Sequence, residues 1–219
     1  MAKSGMRYAD QAYHMLKDAL LSGEYRAGER LAVDSIAKTI GSSRQPVMDA
    51  FRRLEGEGLL NVIPQVGTIV ASVSPADVKD FFRFLAQIEG YFARLAAERA
   101  SEAEGRELKK IAADYFDVAP SGESDQAVAR RYRLHNRAFH SQIHQMARAP
   151  LVHQVAVSLW DKADFYLNTM LAILPFVERE REGVNEHMLI AEAIAEKDGE
   201  AAYNATVPHI LLFAEAINA

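Results

Sequence analysis

Apolar positions recur every three or four residues through the first part of the chain, and the period then shortens. Ala12, Met15, Leu16, Ala19 and Leu20 share one face of a helix predicted over 8–22, which Gly23 ends. A loop over 23–30 leads to a short second helix over 33–40, closed by Gly41. Ser42 or Ser43 caps a third helix that runs to Glu57, with Pro46 in the first turn, where proline is tolerated. Its inward face is Val47, Ala50, Phe51 and Leu54, and Gly58 stops it. Beyond that point β-branched residues at 59–63 and 68–73 flank Pro64-Gln65-Val66-Gly67, the pattern of a hairpin. After Ser74-Pro75 the spacing is helical to the end, with helices over 75–100, 102–118, 124–148, 150–173, 177–197 and 199–217. Breaks fall at Ser101, Pro120-Ser121-Gly122, Ala149-Pro150, Pro175 and Asp198-Gly199. The predicted class is mainly α: an N-terminal winged helix-turn-helix over 1–74 and an all-α helical bundle over 75–219.

Composition narrows the function more than the fold. Cysteine is absent, which excludes disulfides and thiolate metal sites and fits a reducing cytoplasm. Neither a signal peptide nor an apolar run of about 18 residues is present, so no membrane role is expected. The formal charge is −5, too acidic for a chain that coats nucleic acid along its whole length. The charge is uneven, however: residues 1–74 are net +1 and residues 75–219 net −6. A slightly basic head on an acidic body is compatible with DNA binding through the head alone.

That head carries the residues such binding needs. Gly41 permits the left-handed turn between the second and third helices. The third helix then presents Ser43, Arg44 and Gln45 at its N-terminus, where open amides favour a phosphate. Arg44 suits a guanine edge or a phosphate, Gln45 an adenine, and Met48 a thymine methyl. At the hairpin tip Gln65 and Gly67 are placed to approach the minor groove. The run Gly23-Glu-Tyr-Arg-Ala-Gly-Glu-Arg-Leu31, with Ile36-Ala37, Gly41-Ser-Ser-Arg-Gln-Pro-Val47 and Arg53-Leu-Glu-Gly-Glu-Gly-Leu59, resembles the GntR family of bacterial regulators over residues 8–73. The resemblance implies a homodimer on a palindromic operator of double-stranded DNA, each recognition helix in a major groove. Three positions depart from it: Met48 and Val66 stand where arginine is common, and Asp34 where it is sometimes found.

Six of the seven histidines lie in the helical part. Asn136 and His140 are four apart and share a helix face; His187 and His209 follow on the next-but-one helix and the last. Antiparallel packing of those helices would bring the four together. Three imidazoles and an amide oxygen suit a divalent metal ion such as zinc or nickel. Asn136-Arg-Ala-Phe-His140, Glu186-His187-Met-Leu-Ile-Ala-Glu-Ala-Ile194, Val207-Pro-His209-Ile and Leu95-Ala-Ala-Glu-Arg99 resemble the FCD ligand-binding domain of the FadR-type subfamily. By that resemblance Asn136, His140, His187 and His209 are metal ligands, and six helices imply the VanR-like group. Asparagine in place of the commoner aspartate removes a negative charge, which weakens metal binding and strengthens the pull on an anion. Leu85 stands where the family commonly aims an arginine at the effector, so Arg133, with Tyr132 and His144 beside it, is the expected effector-binding set. The effector expected is a small carboxylate.

Two other readings compete: a metal-dependent helical enzyme, and an interaction module without DNA binding. His140-Ser-Gln-Ile-His144 has the spacing of zinc proteases, but Ser141 stands where their general-base glutamate is required. No serine–histidine–aspartate order, P-loop or dinucleotide fingerprint is present, so the chain is read as a regulator and not an enzyme. The weakly basic head and Met48 are all that favour the interaction module.

Overall fold

In the computed structural model the described residues are 2–117, 125–170 and 176–216. The predicted breaks at 120–122 and at Pro175 lie outside them. Two units emerge.

The first unit holds α1 (Ala2–Leu21), β1 (Arg30–Leu31), α2 (Val33–Thr39), α3 (Arg44–Gly56), β2 (Leu60–Ile63) and β3 (Gly67–Val70). β2 and β3 pair antiparallel with Leu60 opposite Val70 and Ile63 opposite Gly67. β1, too short to show a period in the sequence, adds to the other edge of β3 with Arg30 opposite Ile69. The strand order is therefore β1-β3-β2. Leu16 and Leu20 of α1, Ile36 of α2, Val47, Phe51 and Leu54 of α3, and Leu60 and Val70 of the sheet close into one core. The left-handed turn expected at Gly41 is present, with φ 65°, and Gly23 and Gly58, read as helix stops, also have positive φ. One expectation is revised. Ser43 occupies the N-cap of α3, but its side chain makes no capping hydrogen bond. The Ser42 hydroxyl donates instead to the Ser43 carbonyl at 3.0 Å.

The second unit begins at Ser74 and contains α4 (Pro75–Arg99), α5 (Glu102–Asp117), α6 (Asp125–Met146), α8 (Phe176–Ala195), α9 (Gly199–Ala216) and the first part of α7 (Pro150–Met170). Ser74 caps α4 through the Asp77 amide, with Pro75 preset for the first turn. Ser101 and Glu104 form a reciprocal capping box on α5. α4 lies along α9, α5 touches α6 and α8, and α8 packs on α9. The approach of α4 to α9 is close because Gly90 has no side chain: a Cβ there would lie 2.8 Å from atoms of Tyr203 and Val207. Phe92, Leu108, Phe139, Ile143, Ile190 and Ile194 fill the core.

α7 is divided between the units. The 75–219 domain read from the sequence assigns all of it to the helical bundle, whereas from Asp161 onward it groups with residues before Ser74. The cause is side-chain chemistry. Phe165 is buried in the core of the first unit. The Asn168 amide donates to the Leu21 carbonyl at 2.7 Å. Lys17 bridges Asp161 at 2.7 Å and Glu57 at 2.8 Å, and those contacts lift its pKa despite the cost of burial.

Candidate metal centre and nucleic-acid interface

In the helical unit the four predicted ligands meet. Asn136 and His140 reach inward from α6, His187 from α8 and His209 from α9, all buried. His187 Nε2 stands 3.1 Å from His209 Nε2 and 3.0 Å from Asn136 Oδ1. His140 Nε2 is 3.4 Å from His209 Nε2. The His187 ring stacks on Phe139 with centroids 4.1 Å apart, which fixes its plane.

The tautomers follow from the outer partners. His140 Nδ1–H donates to Glu89 Oε2 at 2.9 Å, and His209 Nδ1–H donates to Glu186 Oε2 at 2.7 Å. Both Nε2 atoms are therefore bare lone pairs, and they face each other beside the lone pairs of Asn136 Oδ1. Two such nitrogens facing each other at 3.4 Å with no proton between them repel. A cation among them removes the repulsion. Two ligand atoms each about 2.1 Å from one ion stand about 3.0–3.4 Å apart in octahedral or tetrahedral geometry, which matches the spacing here. The donor set fits a divalent metal, and the carboxylate behind each of two imidazoles is the outer arrangement that orients histidine ligands. Among the described residues, His187 Nδ1 has no partner.

Glu89 is the residue that sequence reasoning missed as a participant. It is wholly buried on α4 and accepts three hydrogen bonds: from His140, from His144 Nε2 at 2.9 Å, and from Trp160 Nε1 at 2.9 Å. Burial by itself would raise its pKa; His144 and His140 outweigh that and hold it at about 2. Burial depresses His140 to about 4 and puts His187 well below the usual histidine value. A legible signal existed. Glu89 falls on the same face as Leu85, Phe92, Ala93 and Ala96, an acid set in an apolar stripe.

The predicted effector residues are placed variously. Tyr132 is buried and Arg133 half-buried, four and three residues before Asn136 on α6. His144 shares Glu89 with His140, and its ring lies 4.3 Å from Phe92, so its Nε2 is committed to the carboxylate.

In the first unit the predicted DNA-reading residues fall on two exposed features. Ser43, Arg44 and Gln45 are exposed at the start of α3, and Met48 is half-buried against the core. Arg44 Nε lies 3.4 Å from Asp34, both well exposed, and the Gln45 amide donates to Asp49 at 2.8 Å. Gln65, at φ 63°, and Gly67, at φ 121°, shape the hairpin tip. Sequence reasoning also missed Arg30, which β1 brings to the hairpin: a Cβ on Gly67 would lie 3.1 Å from its Nε and Nη2.

Comparison with known proteins agrees with both halves. Residues 8–70 match the bacterial regulatory proteins of the gntR family, and residues 80–212 match the FCD domain. The chain is 26% identical over 204 residues to an uncharacterized HTH-type transcriptional regulator, YdhC, of Bacillus subtilis, covering 92% of this chain and 87% of that one. It is 25% identical over 190 residues to the HTH-type transcriptional regulator McbR of Escherichia coli, covering 87% and 83%. The solved structure of E. coli McbR/YncC superposes with a TM-score of 0.78 at 22% identity, over 96% of this chain and 97% of that one. These relatives are regulators of transcription and not enzymes. Among the described residues no helix is long and apolar enough to cross a membrane. With a winged helix-turn-helix at one end and an FCD domain at the other, the chain belongs to the GntR family of DNA-binding transcriptional regulators.

Proposed function

We propose that this regulator binds a palindromic operator as a homodimer in the cytoplasm, and that a small organic acid held at a metal centre modulates its affinity. The observation that carries the second half is the convergence of three imidazole nitrogens and an amide oxygen in a buried space. Asn136, His140, His187 and His209 hold one divalent ion, zinc or nickel. None of these ligands is anionic, so the ion keeps its full charge in apolar surroundings, which is costly without a counter-anion. Bound there, the ion supplies an electropositive anchor for a carboxylate. Arg133, on the face of α6 that carries Asn136, takes a second carboxylate by a forked pair, with Tyr132 beside it. His144 contributes through Glu89.

Calorimetry with a panel of mono- and dicarboxylates, with and without chelator, tests this reading. Acid binding should vanish on chelation and should shift operator affinity by a coupling of about 1–3 kcal/mol. Tight binding of a neutral or cationic ligand with every acid failing, or acid binding that survives chelation, would exclude the metal-anchored carboxylate.

On the DNA side, Ser43, Arg44, Gln45 and Met48 enter the major groove, and Gln65 and Gly67 approach the minor groove. Arg44→Ala should weaken binding to the DNA upstream of the chain's own gene by about 1–3 kcal/mol per contact, without change in thermal stability. Unchanged affinity in a salt-controlled titration would remove Arg44 from the interface.

A further inference from the structure

We propose that Arg30, a residue of the short edge strand and not of the hairpin itself, is the cation with which the wing contacts the DNA backbone. The proposal extends the DNA-binding role to a residue outside the recognition helix and the hairpin.

The hairpin from Leu60 to Val70 contains no lysine or arginine. Its exposed tip is Pro64, Gln65 and Val66, with Ile63 also exposed. An uncharged wing has nothing with which to neutralise a phosphate, and phosphate neutralisation dominates affinity for duplex DNA. β1 repairs that lack. Its pairing sets Arg30 opposite Ile69, and the guanidinium lies over Gly67. The approach is possible because residue 67 is glycine: a Cβ there would sit 3.1 Å from Nε and from Nη2. Gly67 thus has two reasons to be glycine, its φ of 121° and the guanidinium packed on it.

Charge pairing separates Arg30 from the arginines of α3. Arg44, Arg52 and Arg53 of α3 each have an aspartate within ion-pair distance: Asp34 at 3.4 Å, Asp49 at 3.0 Å and Asp10 at 2.7 Å. Among the described residues Arg30 has none, and it is exposed. The neighbouring Glu29 side chain accepts from the Arg26 amide. Arg30 therefore offers an unneutralised guanidinium, held over the wing by the sheet, in a head whose net charge is only +1. Its five donors in a fixed fork suit phosphate oxygens. A backbone contact of this kind positions the wing and carries no base preference.

The test compares wild type, Arg30→Ala and Arg30→Lys on two fluorescein-labelled duplexes of equal length: the DNA upstream of the chain's own gene, and its scrambled sequence. Arg30→Ala should weaken binding to both by the same factor, roughly fivefold to tenfold per bound head near 100 mM salt. The slope of log affinity against log salt should fall by about 0.9 per head. Arg30→Lys should restore the slope, and the thermal midpoint should not move in either variant. Arg44→Ala serves as the contrast, since it should lose more on the upstream duplex than on the scrambled one. If Arg30→Ala leaves affinity and slope unchanged, the proposal is overturned while DNA binding stands. The same holds if affinity falls with the slope intact and the thermal midpoint lowered, the signature of a residue that only packs on Gly67. A wild-type protein that binds neither duplex would overturn the proposal together with the DNA-binding role.

Discussion

Protein carrying His187→Ala together with His209→Ala should leave dialysis without bound metal, whereas the wild type should retain one divalent ion per chain. The two substitutions remove two of the three imidazoles whose Nε2 atoms converge, and leave His140 with the neutral amide of Asn136. Two such ligands cannot hold a divalent ion against its hydration. Elemental analysis of dialysed protein reads the result directly. Full occupancy in the double variant would exclude this ligand set. Asn136→Asp provides a check in the opposite direction: restoring a negative ligand should tighten metal binding and weaken that of an anionic effector.

Glu89→Leu should lower the free energy of unfolding by about 3–5 kcal/mol, because it removes one side of a buried, hydrogen-bonded charge network. Glu89 accepts from His140, His144 and Trp160, all buried, and leucine would leave three donors without a partner. Glu89→Gln keeps one acceptor oxygen and should lose less. Urea denaturation of the metal-free proteins measures both. A Glu89→Leu protein as stable as wild type would show that the network is not fully formed in solution. Acid should weaken the same region of the metal-free wild type. Burial holds His140 at about 4, and puts His187 well below the usual value, against 6.5 for a free histidine. As pH falls from about 6.5 to 4 the unfolded chain therefore binds protons that the folded chain refuses, and stability declines. Below that range Glu89, held at about 2 against 4.5 when free, loses its contribution as it protonates.

The elements of this fold were legible because they are local. α1, α2 and α3, the hairpin and the break at Ser74-Pro75 follow from three- and four-residue spacing, glycines that must adopt positive φ, and β-branched runs. The candidate ligands Asn136 and His140 were legible for the same reason: four residues apart on a helix means one face. His187 and His209 needed in addition the resemblance to a known domain, since nothing in their own helices says which way each points. Arg44 and Gln45 could be placed at the start of α3, but that their side chains lie within reach of Asp34 and Asp49 could not.

What remained hidden depends on distance in space between residues far apart in the chain. β1 is two residues long, and only its pairing with β3 makes it a strand and brings Arg30 to the wing, 37 positions from Gly67. The later part of α7 carries the same helical periodicity as the earlier part. Burial of Phe165 and the Lys17–Asp161 pair assign it to the first unit. Glu89 stood in the sequence as an acid among apolar neighbours, which marks it as buried or misplaced without naming its partners. Those are supplied by α6 and α7, 51 to 71 positions away. The sequence by itself determined which segments are helical, where they stop and which chemical groups they carry. The tertiary structure decided which lone pairs face one another, because that depends on the rotation and depth of each helix. Those are set by the packing of the whole core, to which Phe139 and Gly90 contribute as much as the ligands do.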